Sequence, residues 1–204
     1  MAKVLAPLMS FGASGKIAGS LVFATWKGLN TVRQYVVPSN PNTNPQSIQR
    51  GYMIAAVDMV HAAEILALNP LDAFDQAGYN LWGTIFSGPR TWFNQFCKMY
   101  FDQHVAGLKG AIFTDATLTP GADKVNFKAQ FTKEGANDIT TANIVYGLSK
   151  TNMINTAAFT KAELMAGKDI ASLVTGTKYF FQIQPTAHVD FVGAYSGIFY
   201  AIAG

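Results

Sequence analysis

Leu173–Ala187 reads LVTGTKYFFQIQPTA, and its periodicity decides how the second half of the chain folds. After the turn residues Thr175-Gly176-Thr177, the run FFQIQPTA alternates, and a period of two sends every second side chain to one face of a strand. Runs of the same kind recur on either side of it: AIFTDATLT, KVNFKAQFT, TANIVYGLS and KDIASLV before, YSGIFYAIA after. They are separated by turn residues at intervals of about ten, a spacing that predicts a β-sandwich from Leu108 onward.

Upstream the pattern becomes helical. Three segments begin at Asn44-Pro45, Asn69-Pro70 and Gly88-Pro89, and proline suits the first helical position because its missing N–H costs nothing there. In the first, Ile48, Tyr52, Ala55, Met59, Ala62 and Leu66 recur at helical spacing and predict one buried stripe. The second places Asp72 in its first turn, and the third, densely aromatic, closes at Gly107.

Residues 1–37 read as an irregular arm followed by a β-hairpin, with strands SLVFATW and NTVRQYVV around the turn Lys27-Gly28-Leu29-Asn30. A lone hairpin is marginal, so this one needs a surface to pack on, and Val22, Phe23, Trp26, Val32, Arg33, Tyr35 and Val37 are the residues expected to supply it. A polar connector follows. Pro38 ends the strand, Pro41 biases Asn40 away from helix, Asn44 caps the next helix and Pro45 opens it. Thr43, Gln46 and Arg50 are placed to tie this elbow to backbone or to a neighbouring subunit. The expected class is therefore α+β: a hairpin with three α-helices over residues 1–107, then a sandwich over 108–204.

Half of the 204 residues are hydrophobic and only 13% are charged, against about 25% in typical soluble domains. A surface so poor in charge lacks the usual repulsion against association and suits a subunit packed on copies of itself or on other proteins. The net charge of +3 is too small and too scattered for specific nucleic-acid binding. Its distribution is uneven, since Met1–Val57 holds five basic residues and no acid. The single cysteine, Cys97, excludes a disulfide framework, and no apolar run is long enough to insert in a membrane as a helix.

Two resemblances add to this. Leu173, Gly176 and Tyr179, with the alternating run after them, resemble the corner of a fibronectin type III or related immunoglobulin-like domain, another kind of sandwich being the alternative. That resemblance implies that the Tyr179 hydroxyl hydrogen-bonds backbone across the corner. Gly19, Val22-Phe23, Trp26-Lys27-Gly28, Arg33, Pro38, Asn40-Pro41, Thr43, Gln46 and Arg50, with the later Phe93-Asn94-Gln95-Phe96, resemble small proteins encoded among the structural genes of tailed bacteriophages and prophages. The likeness spans roughly residues 15 to 100 and implies a virion component without enzymatic activity; Pro45 is an addition to the pattern.

Motifs for chemistry are weak. Gly12-Ala13-Ser14-Gly15-Lys16-Ile17 is too short for a phosphate loop and has Ile17 where the magnesium-binding hydroxyl belongs. Asp58, His61 and Glu64 lie at helical spacing but drift around the helix without a second ligand pair. His104 and His188 have no nucleophile beside them in sequence, and Trp26, Trp82, Trp92, Tyr100 and Phe101 read as core aromatics. No catalytic, cofactor or metal set is assigned. The expected function is a non-enzymatic virion structural protein, as head decoration, neck or tail accessory. It would assemble in the host cytoplasm as a homo-oligomer with other virion proteins. The alternative is a carbohydrate- or receptor-binding adhesin module on a tail fibre or cell surface, with a host-surface glycan or receptor as its ligand.

Overall fold

A computed structural model describes residues 2–3, 14–17, 19–37 and 43–204. The chain divides into two compact units, Met1–Thr43 and Asn44–Gly204. The division expected between residues 107 and 108 is not where the chain separates, for a reason that lies in the strand following the helices.

In the first unit, β1 (Ala2–Lys3), β2 (Gly15–Ile17), β3 (Leu21–Trp26) and β4 (Leu29–Gln34) form one antiparallel sheet in the order β1-β4-β3-β2. The arm expected to be irregular thus supplies both edge strands. The hairpin turn is tighter than predicted: Trp26 pairs with Leu29, leaving only Lys27 and Gly28 in the loop. Both have positive φ, 50° and 77°, the mirror-image turn whose twist matches the flanking strands.

The second unit opens with α1 (Asn44–Glu64), α2 (Ala73–Gly83) and α3 (Trp92–Val105). Proline begins only the first of them. Pro70 and Pro89 precede the helices by a few residues, and Asp72 and Thr91 are the N-caps, each accepting a hydrogen bond from the backbone N–H three residues on. A side-chain acceptor satisfies an orphan helical N–H, which proline only avoids having. The third helix ends at Val105, with Gly107 just beyond it at φ 76°. The Gly107 N–H donates to His104 O and the Leu108 N–H to Gln103 O, a pair of bonds that requires the left-handed residue between them.

The buried stripe of α1 is Ala56, Met59, Val60 and Ala63, rotated from the predicted one; Ile48, Ala62 and Leu66 are exposed. Both stripes have helical spacing, and periodicity alone does not choose between them. The buried set packs with Leu71, Tyr79, Phe96, Cys97, Met99 and Tyr100.

Beyond α3 come β5 (Ala111–Gly121), β6 (Lys124–Lys133), β7 (Thr141–Gly147), β8 (Asn155–Thr160), the short helix α4 (Lys161–Ala166), β9 (Lys168–Ala171), β10 (Lys178–Ala187) and β11 (Phe199–Ile202). They form two antiparallel sheets, β5-β6-β9 and β11-β10-β7-β8. One hydrophobic core, including Phe113, Phe127, Ile144, Phe181, Ile183 and Phe199, draws on both sheets. The fold is α+β. The sequence reading missed β8, whose NTAAFT is mostly exposed and lacks a strong alternation.

Helices and sheets share the second unit because the first four residues of β5, 111–114, are buried on both faces. Ala111 and Phe113 enter the core between the sheets, whereas Ile112 enters the helical cluster. The Phe113 N–H donates to the buried Tyr79 hydroxyl at 3.1 Å. At Thr114/Thr117 the β5–β6 register shifts, and this bulge is held from α2 by the fully buried Asp75.

Candidate functional site

Two regions carry polar and aromatic side chains in arrangements that a stable fold alone does not demand: the N-terminal sheet and a cleft beside α3.

Strand register divides the hairpin residues between two faces. Phe23 and Val32 pair on one face, with Leu21 and Ile17 at the same face's end. Val22 pairs with Arg33 on the other, which also carries Trp26, Leu29 and Lys16. Among the described residues of this unit only Phe23 and Thr31 are buried, while Trp26 is 64% exposed and Leu29 47%. Trp26 therefore departs from the expectation that the tryptophans pack in a core. The Lys16 ammonium sits 4.2 Å from the centre of the Tyr35 ring, and Lys16, Val22, Arg33 and Tyr35 border a hollow of about 540 Å³. Val37 lies past the strand and is exposed. The sheet thus gathers Lys16, Val22, Arg33 and Tyr35, and directs Phe23 and Val32 elsewhere.

Of the elbow, Pro38, Asn40 and Pro41 lie outside the described residues. Asn44 and Pro45 open α1, and Thr43, Gln46 and Arg50 are exposed. Gly12 and Ala13 of the glycine-rich motif also lie outside them, and Gly15-Lys16-Ile17 is strand rather than a loop leading into a helix.

At the corner expected from the sequence Leu173 is buried and Gly176 has φ 75°. The Val174 N–H donates to the Tyr179 hydroxyl at 3.1 Å, so the hydroxyl bonds backbone as an acceptor. This closes the turn between β9 and β10.

The second region is a solvent-open cleft of about 260 Å³ on the second unit. Its polar side comes from α3, where Gln95, Lys98 and Asp102 recur at helical spacing and present one face. Trp82 and Tyr195 form an aromatic wall, their ring centres 6.2 Å apart. Arg90 lies over the Phe86 ring at 4.4 Å and donates to Gln95 Oε1 at 3.0 Å. Lys98 pairs with Asp102, and Gln103, 6% exposed, has a side-chain oxygen without a hydrogen-bond partner. The sequence reading missed this cleft because Trp82, Arg90 and Tyr195 are far apart in the chain.

The buried titratable groups Asp75, Tyr79, Cys97 and Tyr100 line neither of these regions. Burial pushes the pKa of Asp75 up to about 7, with the Asp72 charge adding to the rise, although backbone donors from Ala116, Asp72 and Asp115 pull it down. Burial likewise raises the Tyr79 and Tyr100 hydroxyls and the Cys97 thiol. Tyr100 donates to Glu134, which also accepts the Gly110 N–H at 2.9 Å and lies 3.0 Å from His104 Nε2. Asp58, His61 and Glu64 are exposed along α1. Among the described residues no cluster of His, Cys, Asp and Glu is placed to hold a metal ion, and no helix is long and apolar enough to cross a membrane.

No known family matches the chain, and no curated protein or solved structure matches it.

Proposed function

We propose that the protein is a non-enzymatic structural component of a tailed-bacteriophage particle, acting through protein–protein assembly by its N-terminal sheet. The observation that carries this reading is the exposure of that sheet's apolar side chains, with Trp26 at 64%, Leu29 at 47% and Leu21 at 41%. A four-stranded sheet in which, among the residues whose burial is described, only Phe23 and Thr31 are buried gains little stability by itself, and association covers the rest. Among the described residues β1 and β2 are the edges of this sheet, and an edge offers main-chain partners to a neighbouring strand. The charge-poor surface and the phage-like pattern over residues 15 to 100 point the same way.

The second unit carries, on this reading, an immunoglobulin-like sandwich of the fibronectin type III kind. Supporting it are the three- and four-stranded sheets around one core, the consecutive strands β8 and β9 lying on different sheets, and the tyrosine-closed corner. Partners are copies of the chain and other virion proteins, and its place of action is the particle.

The test is oligomeric state and particle incorporation of the full chain beside a Trp26→Glu, Leu29→Glu variant. A defined oligomer or stoichiometric incorporation, lost in the variant while the unfolding transition of the second unit persists, supports assembly through the sheet. A monomer that particles exclude sinks it.

A further inference from the structure

We infer that the cleft beside α3 binds a sugar bearing a carboxylate. This goes beyond the assembly reading and does not rest on it, since every residue involved belongs to the second unit.

Three features of the cleft define the ligand. Trp82 and Tyr195 offer an aromatic wall suited to a flat, weakly polar ring face, and Phe86 stands nearby under Arg90. The Arg90 guanidinium is held on two sides, by the Phe86 ring and by the side-chain oxygen of the buried Gln95. A planar cation fixed in this way keeps further N–H groups in a fork that matches a carboxylate. Gln103 also lines the cleft, and its side-chain amide adds a polar group able to pair with an entering hydroxyl.

Charge selects among ligands that share a ring and hydrogen-bonding groups. Arg90 and Lys98 are positive and Asp102 negative, so the lining carries an excess of one positive charge. A zwitterionic amino acid gains nothing from that excess, nor does a neutral sugar. A uronic acid unit supplies the flat face, the hydroxyls and the single negative charge together. The Lys98–Asp102 pair at the exposed rim adds a donor and an acceptor for further hydroxyls.

The test is titration calorimetry of the full chain with oligomers of glucuronate, galacturonate and mannuronate, beside their neutral counterparts and free phenylalanine. At least one acidic oligomer is expected to bind about tenfold or more tightly than its neutral counterpart, as a charge-assisted bidentate contact requires. Arg90→Gln is expected to abolish that preference, and Phe86→Ala, at an exposed position, to weaken binding with the thermal transition unchanged. If Arg90→Gln fails to fold, Phe86→Ala decides. Binding to none of the acidic oligomers, equal binding of acidic and neutral ones, preferred binding of phenylalanine, or indifference to Phe86→Ala each overturns the proposal.

Discussion

The carboxylate of Asp75 on α2 accepts the main-chain N–H of Asp115 at 2.9 Å, joining a helix to the strand that a sequence reading assigns to a separate domain. Its other oxygen accepts from Ala116 at 3.0 Å, so both residues of the β5 bulge find their acceptor on the helix. The same side chain also closes the helix's own capping box with Asp72. Asp115 has φ 51°, a conformation that its neighbours must hold in place.

Asp75→Ala is therefore expected to cost about 2–4 kcal/mol, because it leaves backbone donors of a buried bulge and of a helix N-terminus without acceptors. Denaturant unfolding measures it. A loss below about 1 kcal/mol would mean that the bulge is held by the sheet alone.

The same residue predicts a pH dependence. The folded pKa of Asp75, about 7, stands above the ordinary 3.8, so the folded state binds its proton more tightly than the unfolded state. Its contribution to stability is fully present below the unfolded pKa and is lost as pH rises through about 7. Asp138, Asp169, Asp190 and Glu163 have depressed values, Lys161, Lys124, Asn137 and Lys168 being the first cause in turn. Their contributions run the other way and are lost as pH falls below the ordinary carboxylate range. Stability should thus fall between pH 4 and 7, with a slope of at most about 1.4 kcal/mol per pH unit. Asp75→Asn should flatten it. An unfolding series across this range that rises with pH in the parent protein would refute the assignment.

Gly78→Ala separates helix propensity from packing. In an exposed helix the change would stabilise by about 1 kcal/mol. Here an added Cβ would lie 2.7 Å from Phe199 Cζ, and the Ile198 N–H bonds the Gly78 carbonyl at 2.9 Å, so neither partner is free to withdraw. A net destabilisation of about 1–3 kcal/mol is expected, read as a lower denaturation midpoint. A gain in stability would show that α2 does not press on β11.

Tyr179→Phe removes the acceptor of the Val174 N–H while leaving an aromatic ring in the core. The expected loss is about 1 kcal/mol, with fold and unfolding cooperativity unchanged. Equal stability of the two proteins would reduce the corner to a packing contact.

What the sequence determined by itself was local. Alternation in KVNFKAQFT and KYFFQIQPTA sets β6 and β10, a period of two being visible whatever lies beside a strand. Helical spacing placed α1, a densely aromatic run closing at Gly107 placed α3, and the turn expected over Lys27-Gly28-Leu29-Asn30 contained the two loop residues Lys27 and Gly28. The buried face of α1 was beyond reach, because two stripes of like periodicity compete and only the neighbours choose. Helix starts were misplaced where proline, a strong local signal, lies just before Asp72 and Thr91, whose capping depends on the conformation reached. The tertiary structure alone decided that β5 turns one face to the helices and one to the sheets. The residues that fix this, Tyr79 with Phe113 and Asp75 with Ala116, stand 34 and 41 positions apart. The cleft of Trp82, Arg90 and Tyr195 belongs to the same class, since contacts between distant segments leave no period along the chain.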